Sequence, residues 1–231
     1  GTGNVAVGLN ALGGQQIGSD STAVGNNALL VCDGDHNTAV GSLVLDAVTT
    51  GARHTAVGYN AASAVQAADD VTAIGANAAR LCTAADITAV GSGSLFAQTS
   101  GLRNTAMGRA AGSAISTNSD LTAVGWNALV SATGETNTAL GSTAGNSITT
   151  GSDNTCLGYN ADVSAVGAVY QTVVGSDAVG TAANQVTLGR TGTDWVIETG
   201  RATLNADFTS LNDVMAATAL SVTVVAGRSY K

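Results

Sequence analysis

Proline is absent from this chain of 231 residues. A strand inside a hydrogen-bonded ladder has no place for proline, because proline lacks the N–H that would be donated to the neighbouring strand. The absence therefore suits a stack of strands joined by continuous hydrogen bonding. Long apolar runs are also lacking, and none reaches the roughly 18 residues that a membrane-spanning helix needs. We therefore expect no direct membrane insertion.

Aromatic residues make up only 3% of the chain, so an ordinary globular core is excluded. Stability must come instead from many small, repeated contacts. Charge is also scarce: 16 acidic residues against 8 basic ones give a net charge of −8. Because no basic patch or aromatic platform is visible in the sequence, we expect no nucleic-acid partner. The hydrophobic fraction of 45% argues against disorder, which would show the opposite balance.

Side chains that carry chemistry are few, with three cysteines and two histidines. Cys32 and Cys82 occupy equivalent places three coils apart, about 14 Å by strand stacking, which is too far for a disulfide. His36 lies in an acidic segment, residues 33–37, that could bind calcium. The equivalent segments do not repeat this pattern, so we interpret it as a solvated turn. Without a nucleophile elbow, phosphate loop or zinc spacing, we expect no enzyme, catalytic residue, cofactor or metal.

What the chain does contain is one phrase, Thr-Ala-Val-Gly with small variations, repeated along most of its length. Successive repeat glycines are 16 or 17 residues apart, and a weaker copy ends at Gly189. A repeat of this kind indicates a solenoid, which builds a rod or a surface rather than a catalytic cleft. Glycine at a fixed place in each coil indicates a bend or a positive φ. The repeat glycines are Gly8, Gly25, Gly41, Gly58, Gly75, Gly91, Gly108, Gly125, Gly141, Gly158 and Gly175.

A longer period of 50 residues is superimposed on the coil repeat, from Gly8 to Gly58, Gly108 and Gly158. Other features follow the same period: Thr-Thr-Gly at residues 49–51 is matched by Thr-Ser-Gly at 99–101 and by Thr-Thr-Gly at 149–151. We interpret the longer period as duplication of a three-coil unit. The alternative is that every third coil meets a partner that has a long repeat of its own.

The residues before each repeat glycine predict a short strand, as in the Thr-Ala-Met segment 105–107. Side chains alternate along a strand, so the threonine and the aliphatic residue share one face and alanine occupies the other. We predict that the threonine and aliphatic face fills the coil interior and that the uniform alanine face lies against other chains. An apolar pair after each glycine, such as Ala128-Leu129, predicts a second strand. The residues predicted to contact partner chains are Ala23, Ala39, Ala56, Ala73, Ala89, Ala106, Ala123, Ala139 and Cys156.

Threonine forms a regular file of ten copies from Thr22 to Thr172. Outward threonine files on flat solenoids can bind ice. Only one threonine per coil is regular and its partner is aliphatic, so we expect the file to face inward. An ice- or ligand-binding solenoid is therefore kept as a lesser alternative.

The segments 37–41 (Asn-Thr-Ala-Val-Gly) and 104–108 (Asn-Thr-Ala-Met-Gly) resemble the coil signature of YadA-like heads of trimeric autotransporter adhesins. The resemblance covers roughly residues 4–189. It implies an all-β, left-handed parallel β-roll or β-solenoid in which three chains associate side by side as a homotrimer. The coils of 16–17 residues are longer than is typical of those heads, and they also resemble repeats in bacteriophage tail fibres.

The resemblance implies a structural attachment fibre with two parts. Residues 1–189 would be the β-roll fibre, and residues 190–231 would cover its end and open a C-terminal β-domain that breaks off at residue 231. We expect part of a bacteriophage tail fibre or spike in the virion, which presents a receptor-binding tip to the host cell. Its partners would be other virion proteins and a host-surface receptor or glycan. The alternative is a bacterial trimeric adhesin head at the cell surface.

Overall fold

The computed structural model describes residues 1–14 and 18–190. These residues contain short strands of three or four residues, one for each copy of the repeated phrase. The expected capping segment, residues 190–231, lies outside the described residues except for its first one. The strands are β1 (Val5–Val7), β2 (Thr22–Val24), β3 (Thr38–Val40), β4 (Thr55–Val57), β5 (Val71–Ile74), β6 (Ile87–Val90), β7 (Thr105–Met107), β8 (Thr122–Val124), β9 (Thr138–Leu140), β10 (Thr155–Leu157), β11 (Thr172–Val174) and β12 (Val186–Leu188).

The strands pair in sequence order into one parallel sheet of 12 strands. The pairing keeps the repeated phrase in register, so that Thr105 pairs with Thr122, Ala106 with Ala123 and Met107 with Val124. Each coil therefore lies directly on the next. The prediction of an all-β parallel β-solenoid with about 17 residues per coil is confirmed.

The predicted assignment of the two strand faces is wrong. From β2 to β9 the central alanine points into the coil and is fully buried within a single chain, whereas the flanking threonine and aliphatic residue are half-buried or exposed. The side chains predicted to contact partner chains therefore pack against their own chain. These inward residues are Ala23, Ala39, Ala56, Ala73, Ala89, Ala106, Ala123, Ala139 and Cys156, all 0% exposed.

The interior accepts only a small side chain from the strand because larger residues of the same coil and of the coil before it already fill it. Leu129 and Ile148 are fully buried. A methyl group built on Gly145 would lie within 3.5 Å of both of these side chains and of the Ala139 methyl. The inward alanine is thus set by the volume that the rest of the coil leaves free.

The predicted second strand does not form. The apolar pair Ala128-Leu129 lies in a turn and is buried, and Leu129 has a positive φ of 47°. The backbone at this turn still bonds from coil to coil, since the Leu129 N–H donates to the Ala144 carbonyl at 3.0 Å. Ladders of turns therefore take the place of a second sheet.

The predicted bend at the repeat glycines is confirmed. Gly108 has a φ of 132°, and a Cβ at this position would lie 2.5 Å from the carbonyl oxygen of Gly125 in the next coil. Glycine is therefore needed for two reasons: only glycine readily adopts this φ, and only glycine leaves room for the next coil.

A ladder of buried amide side chains joins successive coils at the residue before the strand threonine. Asn137 accepts the N–H of Asn154 at 3.0 Å through Oδ1. Its Nδ2 donates to the carbonyl of Gly151 at 2.8 Å. Asn154 repeats the pattern with Gln171 and with the Ala168 carbonyl. These bonds satisfy backbone groups that would otherwise be buried without a partner.

Candidate interaction surface

The outer face of the sheet is formed by the two residues that flank the central inward residue of each strand. The first file on this face is threonine in ten consecutive strands, β2 to β11, and valine in the first and last strands, β1 and β12. The second file is aliphatic in all 12 strands, and several members are well exposed, including Met107 at 45% and Leu140 at 52%. The aliphatic file consists of Val7, Val24, Val40, Val57, Ile74, Val90, Met107, Val124, Leu140, Leu157, Val174 and Leu188.

The outer face is large for an uncovered apolar surface. Strands about 4.8 Å apart and three residues long make it roughly 50 Å by 10 Å. Contiguous apolar patches of this size are at the upper end of what soluble monomers expose, and such patches mark interaction sites. Flat, regular and apolar, the face is suited to pack against another regular surface.

Sequence reasoning missed the outer face because it placed these residues in the interior. The alternation within each strand correctly put Thr105 and Met107 together and Ala106 opposite them. A signal was nevertheless available: the buried Leu129 and its equivalents follow the glycine in many coils, and these residues could have been assigned to the core first.

A second exposed feature follows the strand at the corner of each coil. The corner file is defined as the residue after each repeat glycine, and its aromatic members are Tyr59, Trp126 and Tyr159, which are 53%, 48% and 58% exposed. Backbone bonds hold the file in register; the Thr143 N–H, for example, donates to the Trp126 carbonyl at 2.7 Å. The corner file is Leu9, Asn26, Ser42, Tyr59, Ala76, Ser92, Arg109, Trp126, Ser142, Tyr159 and Ser176.

Comparisons with protein-family models, with curated proteins and with solved structures return no match to this chain. In the part of the chain that the structure describes, no helix is long and apolar enough to cross a membrane. The same residues contain no group of three or more histidine, cysteine or acidic side chains that could hold a metal ion. A shallow open depression on the loop side, near Gln66, Thr83 and Ser100, is lined by no titratable residue.

Most charged side chains that form ion pairs lie at a different corner, five residues before the repeat glycine. Arg53 contacts Asp70 at 2.7 Å and Asp69 at 3.0 Å, and Arg103 contacts Asp120 at 2.6 Å. The hydrogen bond from Arg103 lowers the pKa of the Asp120 carboxyl. These groups are about half exposed, so each pair contributes little to stability. We interpret them as a solvated charged edge.

His54 takes a place in the buried amide ladder and is 1% exposed. Its Nδ1 accepts the Val71 N–H at 3.2 Å, as the asparagine Oδ1 does in other coils. Its Nε2 faces the Ala68 carbonyl but makes no hydrogen bond of normal geometry. Burial lowers the pKa of His54 to about 4, against the weaker opposing influence of Asp69 and Asp70. The imidazole is therefore a neutral substitute for asparagine.

The three cysteines are buried and unpaired, as the sequence predicts. Burial raises the pKa of the Cys82 thiol to about 11 and that of the Cys156 thiol to about 12. A thiol with so high a pKa is a poor nucleophile at neutral pH. The cysteines thus act as small apolar residues of the core.

Proposed function

We propose that this chain is the rod of a homotrimeric attachment fibre in which the outer faces of three chains pack against each other. The observation that carries the proposal is the unbroken aliphatic file, which no other part of the described chain covers. Homo-oligomer interfaces are more apolar than the rest of a protein surface and are depleted in charged residues. The outer face carries only aliphatic and threonine side chains, with no charged group to desolvate. The corrected face assignment moves the contact from the alanines to the threonine and aliphatic files.

The rod would hold a binding part away from the particle or cell that carries it. Its stiffness comes from in-register strands, stacked turns and buried amides, all of which bond each coil to the next. The resemblance to YadA-like heads and phage tail fibres supports a left-handed coil, a trimer and a place in a virion tail fibre or spike. The alternative is that the chain belongs to the head of a bacterial adhesin. In either case we propose a structural role without catalysis, with a host-surface receptor or glycan as the external partner.

Replacing Met107 and Leu140 together by glutamine is expected to separate the trimer. Each glutamine would bury an amide against an apolar partner surface, at a cost of about 1–3 kcal/mol per site. Multi-angle light scattering should give about three times 22.4 kDa for the unaltered chain and a mass close to 22.4 kDa for the double variant.

The matched control replaces Val31 and Leu81, each 42% exposed but outside the strands, by glutamine. This control should keep the mass of the unaltered chain, since it removes equal apolar area from another surface. An unaltered chain that runs as a monomer at micromolar concentration would contradict the trimer.

An ice-binding solenoid is the second candidate, because the threonine file faces outward rather than inward. Ten in-register threonines about 4.8 Å apart form a regular rank of hydroxyl and methyl groups. This candidate predicts thermal hysteresis in solutions of the chain and its loss when Thr88 and Thr105 are replaced by lysine. Ice that freezes and melts at the same temperature in such solutions would contradict the ice-binding candidate.

A further inference from the structure

The corner file differs from the outer face in being discontinuous. Most of its members are serine, asparagine or alanine, and Tyr59, Trp126 and Tyr159 stand among them as isolated exposed rings. Trp126 and Tyr159 are two coils apart, about 10 Å by strand spacing. A surface shared by copies of one rod would be expected to repeat in every coil, as the outer face does. Isolated rings on a polar edge instead suit a ligand that alternates apolar and polar groups.

Arg109 precedes Trp126 by one coil in the same file, and the Asn127 N–H donates to its carbonyl at 3.1 Å. Three other arginines of the described residues have partners: Arg53 and Arg103 bind carboxylates, and Arg80 lies over the Phe96 ring. The Arg109 side chain makes no hydrogen bond or ion pair within residues 1–14 and 18–190. It is thus a cation available to a ligand on an otherwise acidic protein.

The next residue in each coil adds hydrogen-bonding groups beside the rings. Asparagine is frequent at this position, where φ is positive: 54° at Asn60, 57° at Asn77 and 53° at Asn127. The side chains of these three make no hydrogen bond to other described residues. Neither this position nor the corner file contains an acidic residue before Asp177. The corner around Arg109 and Trp126 therefore lacks the negative charge that dominates the chain.

We propose that the corner from Arg109 to Tyr159 binds an acidic glycan. The Trp126 and Tyr159 rings lie against the apolar C–H faces of sugar rings, because aromatic side chains combine a flat apolar surface with a polar tip. The Arg109 guanidinium binds a sugar carboxylate, for which its planar pair of donors is suited. The Asn127 amide binds hydroxyl groups of the sugar. The inference rests on the proposed attachment role, for which it supplies a receptor class and a site on the rod itself.

The test is affinity electrophoresis of the 231-residue chain in native gels that contain polygalacturonate, polysialic acid or neutral dextran. At least one acidic polymer should retard the chain more strongly than dextran. Trp126→Ala should weaken this binding about tenfold or more, and Arg109→Gln should remove most of the preference for the acidic polymer. Ser42→Ala, in the same file but outside the proposed stretch, and Arg80→Gln elsewhere serve as matched controls and should bind as the unaltered chain does.

Two results would overturn the inference: no retardation by either acidic polymer, or equal retardation of the unaltered chain and both variants. A fall in the light-scattering mass of Trp126→Ala would also overturn it, since the ring would then be a contact between copies. The light-scattering mass of the unaltered chain tests the proposed trimer separately from the glycan site. A trimer that binds no acidic polymer contradicts only the glycan site, and a monomer that binds one contradicts only the trimer.

Discussion

Gly108→Ala should unfold the rod or destabilise it by about 4 kcal/mol or more, in the range reserved for severe backbone defects. Two effects add. A φ of 132° is strained for any residue with a Cβ, and the new methyl carbon would lie 2.5 Å from the carbonyl oxygen of Gly125. The obstacle is backbone of the next coil, so relief requires opening the coil stack and weakening its hydrogen bonds.

The measurement is urea unfolding followed by far-UV circular dichroism at one protein concentration, because assembly makes stability depend on concentration. Gly93→Asn is the matched control. Gly93 has a φ of 66° with nothing within 4 Å of a built Cβ, and six equivalent positions already hold asparagine. This control should be neutral or stabilising by about 0.5 kcal/mol. Similar midpoints for Gly108→Ala and the unaltered chain would refute the close packing of coils at the repeat glycines.

Lowering the pH should destabilise the rod through His54, because this side chain binds a proton more weakly in the folded chain than in the unfolded chain. The pKa of this imidazole is about 4 in the folded chain against an ordinary value of 6.5, so the unfolded chain takes up the proton first as the pH falls. The stabilisation is fully present above pH 6.5 and is lost progressively down to about pH 4. Protonation of this one site lowers the free energy of unfolding by about 3 kcal/mol. Protonation also removes the acceptor for the Val71 N–H.

His54→Asn should keep the fold, because Asn37 holds the equivalent place in the preceding coil. The variant should also reduce the dependence of the free energy of unfolding on pH between pH 6.5 and 4. The midpoint of urea unfolding, measured for both chains between pH 6.5 and 4, tests this prediction. Asp69 and Asp70 interact electrostatically with His54. The hydrogen bond from the Ala52 N–H, and then that from Arg53, lowers the pKa of Asp69. The hydrogen bond from Arg53 lowers the pKa of Asp70. Their own contribution therefore persists in the variant and appears at lower pH. His36→Asn removes the exposed imidazole and serves as the control. An unchanged pH profile in His54→Asn would show that the buried imidazole is not the source.

The candidate surfaces were only partly accessible to sequence reasoning. The repeat placed Met107 and Leu140 in one file, but it could not say that this file faces outward. The 50-residue period linked Tyr59 to Arg109 and Tyr159 without showing that they share an exposed corner. Trp126 is outside that period, but it follows a repeat glycine one coil after Arg109, so the coil repeat places the two in one file. Only the structure shows that this file is exposed.

The sequence by itself determined the coil length, the parallel in-register strands and the need for glycine at each bend. These features follow from local chemistry repeated at a fixed step: alternation within a strand, and the freedom of glycine at positive φ. Only the tertiary structure decided which strand face is buried and that the apolar pair after each glycine forms a turn. Both depend on volume within the closed coil. Leu129 and Ile148 fill the interior, so Ala139 alone fits inward, and threonine and leucine of the same strand are left on the surface.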